Sequence, residues 1–143
     1  MDDAKTLETN KALLRRWFDE VWNQGRSETI DELFSAEGIV HGLNDDPEHP
    51  IEGPAGFKPF HAAFRGAFPN IQVEVEDLIA EGDKVVARCS VRGKHSGDQL
   101  GCAASQSDVL FTGMAIVRVE NGKFVEAWNN FDFLNMNKQI GAI

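Results

Sequence analysis

The hydrophobic period of this 143-residue chain changes once, near residue 70, and that change limits the folds open to it. Upstream, apolar residues recur every three or four positions. Leu7, Leu13, Leu14, Trp17, Phe18, Val21 and Trp22 form one stripe, and Phe57, Phe60, Phe64 and Phe68 form another. Downstream, Ile71, Val73 and Val75 alternate with Gln72, Glu74 and Glu76, the two-residue period of a half-buried strand. Helices followed by a run of strands is an α+β arrangement, in which the helices cover one face of a curved antiparallel sheet. Such a sheet encloses a cone-shaped cavity, and its opposite face needs a cover that self-association can provide.

Local signals divide the chain further. Gln24-Gly25 stops the first helix, and Ser27 caps a short second one presenting Ile30, Leu33 and Phe34. Residues 38–42 read as a short strand that delivers His41 to its end. A polar loop over 43–53 holds Asp45, Asp46, Glu48 and His49. A third helix starts near Pro54 and runs to about Phe68, with Pro59 inside it. Strands follow over 71–81, 84–95, 105–119 and 123–133, and residues 134–143 form a tail. His49 and His61 read as surface residues. With no repeat or linker, residues 1–143 make one domain.

Charge narrows the partners. Twenty-three acids against 14 Lys and Arg give a net charge of −9, spread along the chain. That balance disfavours nucleic acid and anionic membrane surfaces, both of which need basic clusters. Cys89 and Cys102 lack metal-ligand spacing, so no metal is expected. Cys89 reads as buried filler and Cys102 as a loop residue. The acidic start, Met1-Asp2-Asp3-Ala4-Lys5, lacks an apolar signal core, and a cytoplasmic location is the expectation.

The last strand carries the richest chemistry. Alternation puts Glu126, Trp128, Asn130 and Asp132 on one face, an aromatic wall beside an amide and a carboxylate. The Glu120-Asn121-Gly122 turn admits two registers. A three-residue loop, the favoured form, pairs Val119 with Lys123 and brings Met114 and Arg118 to the face of Trp128; a two-residue loop turns Arg118 away.

These residues lie in a chain that resembles the SnoaL-like polyketide cyclase (ester cyclase) family of the NTF2-like superfamily. The resemblance rests on Val21-Trp22-Asn23-Gln24-Gly25, Ile39-Val40-His41-Gly42, Glu52-Gly53-Pro54-Ala55-Gly56-Phe57 and Ala67-Phe68-Pro69-Asn70. It continues through Glu81-Gly82-Asp83-Lys84-Val85-Val86-Ala87-Arg88 and Val91-Arg92-Gly93-Lys94-His95-Ser96-Gly97. Phe111-Thr112-Gly113, Glu120-Asn121-Gly122-Lys123, Trp128, Asp132 and Gln139-Ile140-Gly141 complete it. The order and spacing of these pieces are specific for the fold and less so for a reaction. The resemblance implies a cone-shaped barrel with a deep cavity, a homodimer or higher homo-oligomer, and no metal or cofactor. It implies a ring closure by intramolecular aldol condensation, with Asp132 at the position of the acid/base aspartate. Lys94 and Ala103-Ala104-Ser105 depart from the family pattern at positions that in the family arrangement sit at the cavity mouth, and so bear on substrate identity.

Each candidate has a chemical role and a plainer alternative. Asp132 is a general acid/base if apolar walls desolvate it, or else a cap on the tail. Asn130 polarises a carbonyl or is a satisfied strand-end amide. His95 and His41, both at strand ends, assist the chemistry or only hydrogen-bond locally. Arg88 and Arg118 hold a substrate carboxylate or lie solvated on strands. Trp17, Phe60, Phe64, Met114 and Trp128 are wall residues for a small apolar, aromatic compound, or core. No nucleophile elbow or phosphate loop is present. The expectation is a cofactor-free cyclase-like enzyme. Its rivals are another isomerase or hydrolase of the same superfamily and a binding protein for an apolar small molecule.

Overall fold

The computed structural model describes residues 3–44 and 46–143, so Asp45 lies outside the described residues. The first helix, α1 (Ala4–Trp17), begins where the Asp3 carboxylate accepts the Thr6 main-chain N–H at 2.7 Å. It then widens into a π-helical stretch, Phe18–Asn23, which buries Phe18, Val21 and Trp22 together. Gly25, at a φ of +73°, ends it. α2 (Ser27–Leu33) follows, preceded by Arg26 rather than capped by Ser27, which is the helix's first residue. Strand β1 (Phe34–His41) starts four residues before the expected one. β2 (Ile51–Glu52) leads directly into α3 (Gly53–Ala67), which carries Pro59 within it.

The strands β3 (Gln72–Glu81), β4 (Lys84–Lys94), β5 (Asp108–Glu120) and β6 (Lys123–Phe131) form the expected antiparallel meander. The sheet is mixed rather than wholly antiparallel. β1 lies beside β6 and runs parallel to it, giving the order β2-β1-β6-β5-β4-β3. The tail is helical from Phe133 to Gln139 (α4), and its Gln139 amide exchanges two hydrogen bonds of 2.8 Å with the main chain of Leu110.

The end of the first helix is held by side chains from elsewhere. The orphan carbonyls of Val21 and Trp22 accept hydrogen bonds from His61 Nε2 and Arg65 Nη1, each at 2.7 Å and one turn apart on α3. Asn23 reaches β3: its amide donates to the Val73 carbonyl at 3.0 Å and accepts the Val73 N–H at 2.6 Å, as a neighbouring strand would. His61 is therefore no surface residue. It is only 5% exposed, and its ring faces Trp22 at 5.1 Å. Cys89 is core filler as expected, with burial pushing its thiol up to about 12. No described helix is long and apolar enough to cross a membrane.

Burial lowers the pKa of His61 from its ordinary 6.5. The unfolded chain therefore takes up a proton at this site before the folded one does, and folding loses stability as pH falls below 6.5. Thermal unfolding followed from pH 7.5 to 5.5 should show a falling Tm. His61→Gln keeps a donor for the Val21 carbonyl and should flatten that slope; an unchanged slope would exclude His61 as its source.

Candidate functional site

β5 shows which face of the sheet meets the helices. Val109, Phe111, Ala115, Val117 and Val119 are buried, whereas Leu110, Thr112, Met114, Ile116 and Glu120 are exposed. The turn to β6 is the two-residue form, Asn121-Gly122, with φ of +52° and +76°. It pairs Glu120 with Lys123 and Val119 with Phe124. One residue later the register shifts, so that Arg118 pairs with Glu126 and Val125 is the extra residue of a bulge. The expected company thus forms by another route: Arg118 opposes Glu126, Ile116 opposes Trp128, and Met114 opposes Asn130. All of these lie on the outer face of the sheet, away from the helices.

The inner face, together with α1, the π-helical stretch and α3, encloses a cavity of about 80 Å³. Trp17, Trp22, Phe57, Phe60 and Phe64 line its helical side; Phe111, Ala115, Val117, Phe124, Ala127, Asn129 and Phe131 line its strand side. Among the described residues 21 line it, of which 20 are apolar, none is titratable, and Asn129 supplies the single polar side chain. Ring contacts tie the walls together. Trp17 meets Phe57 at 5.2 Å and Phe124 at 5.7 Å, and Trp22 meets Phe57, Phe60 and Phe64 within 6.1 Å.

Six lining residues are half-buried: Trp17 on α1, and Leu43, Phe60, Asn129, Phe131 and Phe133, which mark the open end where β1 and β6 finish. Phe131 lies flat over Gly113, where an added Cβ would stand 2.2 Å from its ring. Gly42, at a φ of +88°, passes so close to β6 that a Cβ would come 2.0 Å from the Asn129 carbonyl oxygen. These two glycines bring the ends of the strands together around the opening.

Of the residues expected to bind substrate, Trp17, Phe60 and Phe64 line the cavity. His41, Arg88, Met114, Arg118 and Trp128 do not. Arg88 points outward and pairs with Asp77 at 2.7 Å. His41 pairs with Glu126 at 2.8 Å and stacks on Trp128 at 5.8 Å; Arg118 approaches Glu126 at 3.7 Å and Glu120 at 2.8 Å. This is a partly solvated charge cluster on the outer face, with Met114 51% and Ile116 37% exposed beside it.

The three residues expected to act chemically are dispersed. Asn130 is exposed on the outer face. His95 is fully buried outside the cavity lining, where its Nδ1 accepts the Ser105 N–H at 3.0 Å, leaving the ring hydrogen on Nε2 towards Cys102 Sγ at 4.0 Å. It fastens the loop from residue 95 to 107. Asp132 is exposed, and its Oδ1 accepts the Asn135 N–H at 3.0 Å, capping α4. It stands between two cavity-lining residues, Phe131 and Phe133, at the rim. Lys94, Ala103, Ala104 and Ser105 do not line the cavity either. Asn129, one position from the expected Asn130, faces inward because the bulge at Val125 shifts the register, and no local sequence pattern marks that bulge. The described residues hold no cluster of His, Cys, Asp and Glu able to bind a metal ion.

Comparison with known proteins agrees with this architecture. The family model of the SnoaL-like polyketide cyclases matches residues 12–140. Among solved structures, a provisionally assigned SnoaL-like polyketide cyclase from Jannaschia sp. CCS1 superposes with a TM-score of 0.86 at 25% identity, covering 100% of this chain and 99% of its own. A provisionally assigned polyketide cyclase from Bacillus cereus ATCC 10987 superposes with a TM-score of 0.82 at 29% identity, covering 99% and 87%. TsrD from Streptomyces laurentii, at 23% identity, shares the fold with a TM-score of 0.83 over 100% of both chains. No curated protein matches the chain.

Proposed function

The chain belongs to the SnoaL-like polyketide cyclase family, and from that premise we propose that its cavity receives a small, apolar, aromatic compound, bound by packing rather than by charge. The observation that carries this reading is the wall itself, apolar at every position but Asn129. An apolar ligand there loses water contact without stranding a charge, whereas an ionised one would forfeit its hydration with nothing to replace it. Size adds a limit. A cavity of roughly 150 Å³ lined by Leu, Ile and Phe takes one benzene ring, and this one is about 80 Å³. A single ring is thus the natural occupant, seated partly in the open end. A fused-ring polyketide would have to part Phe60, Phe131 and Phe133.

A second reading, acid/base closure of a carbonyl compound, is favoured by the place of Asp132 at the rim between Phe131 and Phe133. One of its carboxylate oxygens is occupied by the cap, and the other could take a proton from a carbon held at the opening. Its reach is to the rim, so the reacting carbon would lie outside the apolar wall.

Self-association through the outer sheet face is part of the same proposal. Leu110, Met114 and Ile116 are exposed there beside Trp128, more apolar area on one strand than a solvent-facing strand ordinarily carries.

Toluene should bind, read by tryptophan fluorescence. Ala115→Leu, which pushes three carbons into the cavity, should weaken it roughly tenfold or more. Toluene binding untouched by Ala115→Leu would place the ligand elsewhere. Asp132→Asn retains the helix cap and should leave toluene binding unchanged. Turnover of anthraquinone-type polyketide methyl esters by the wild type that is lost in folded Asp132→Asn would establish the acid/base reading; absence of turnover in both leaves binding as the activity. Sedimentation equilibrium should give a dimer or larger for the wild type and a smaller species for Ile116→Lys; identical masses would dismiss this face as the interface.

A further inference from the structure

The amide of Asn129 has only one orientation available to it. Its Nδ2 lies 3.1 Å from the main-chain oxygen of His41. A carbonyl oxygen only accepts, so the side-chain nitrogen must face it and the oxygen must face away. Oδ1 has no hydrogen-bond partner among the described residues, yet no buried side-chain oxygen or nitrogen among them is left unsatisfied. The oxygen is therefore not sealed in protein. It stands on the one polar side chain of the cavity wall, at the open end. Gly42 holds this position tightly, since its backbone passes against the Asn129 carbonyl with no room for a Cβ. The acceptor is fixed before any ligand arrives.

We infer that Asn129 Oδ1 is the specificity element of the cavity and selects aromatic compounds that carry a hydroxyl donor, the class of simple phenols, over hydrocarbons and over analogues that only accept. This rests on the reading of the cavity as a site for small apolar compounds. A hydrocarbon seated against Oδ1 strips water from the amide oxygen and returns nothing. A phenolic O–H replaces that water with a hydrogen bond, while its ring packs on Phe60, Phe131 and Phe133. A carbonyl or ether oxygen in the same place would set two acceptors against each other, which a site built around one lone acceptor disfavours. For the same reason this amide is oriented to receive a proton donor, not to stabilise an oxyanion.

Phenol, toluene and anisole make the test, because the first two are nearly the same shape and the third keeps the oxygen but loses the donor. Affinities would be measured by NMR titration of the wild type and of Asn129→Leu. The phenol-to-toluene affinity ratio should fall roughly three- to tenfold in Asn129→Leu, the worth of one hydrogen bond. An unchanged ratio in a folded variant overturns the inference. Asn129→Leu also removes the bond to His41, so the wild type carries a second arm: anisole should show no advantage over toluene comparable with that of phenol. Anisole favoured as strongly as phenol would mean that the site donates, and would overturn the inference with the cavity reading intact. Failure of both phenol and toluene to bind the wild type would sink the cavity reading, and this inference with it.

Discussion

One extra residue in β6 decides what the interior of this protein is made of. Val125 interrupts the ladder between the Val119–Phe124 and Arg118–Glu126 pairs. Side chains in a strand alternate strictly, so an inserted residue exchanges the faces of everything beyond it. Because of the bulge, Phe124 and then Ala127, Asn129 and Phe131 all turn inward. Without it, a strand that began with Phe124 inside would continue with Glu126, Trp128 and Asn130 inside. The cavity would then hold a carboxylate, an indole and a different amide. The bulge thus separates a charged outer face, organised by His41, Glu126 and Arg118, from a cavity wall on which no described residue is titratable.

The helical side is fixed by a different device with the same outcome. The wide π-helical stretch brings Phe18, Val21 and Trp22 onto the core, and it leaves carbonyls at its end that need donors. α3 provides them through His61 and Arg65, and β3 is tied to the same stretch by Asn23. Those few bonds hold Trp22 where Phe57, Phe60 and Phe64 surround it. A set of aromatic rings of this size would collapse onto itself if its supports could slide. Anchoring the backbone at both ends of the layer keeps the rings apart and leaves a cavity between them.

The fold was legible because it rests on periodicity, which a sequence carries openly. The change of period near residue 70, the Asn-Gly turn and the phenylalanine spacing of α3 all reappear in the structure. What was hidden needed pairing information. Nothing local in Phe34–His41 says that it will lie parallel to β6. A bulge at Val125 is invisible unless both strands are placed. Trp128 and Asn130 carry the more reactive side chains of β6, yet it is Ala127 and Asn129 that face the cavity. β5 marks its own inward face, since Val109, Phe111, Ala115, Val117 and Val119 are buried, but the two-residue turn alone would carry that parity to Glu126, Trp128 and Asn130, and only the bulge reverses it. His61 was misjudged for a related reason. On a helix its neighbours in space are three and four residues away, and its partner, the Val21 carbonyl, lies on another helix altogether.

The distribution of charge follows from these constraints. The chain carries 37 ionisable Lys, Arg, Asp and Glu side chains, yet none of those among the described residues reaches the cavity wall. In an interior of this polarity an unpaired charge would be costly enough to change its protonation or to draw in water. The paired ions instead lie where water and partners screen them, as in Arg88–Asp77 and Arg118–Glu126. Among the described residues the cavity wall keeps one oriented amide, that of Asn129. In a wall that is otherwise hydrocarbon, a single fixed acceptor weighs more on selectivity than it would in a polar pocket, because no other group can compensate for failing to match it. The same separation leaves Asp132 the nearest carboxylate to the opening in sequence, one residue from each of two rim phenylalanines. Acid/base chemistry at Asp132, as proposed, would therefore take place at the rim, outside the apolar wall.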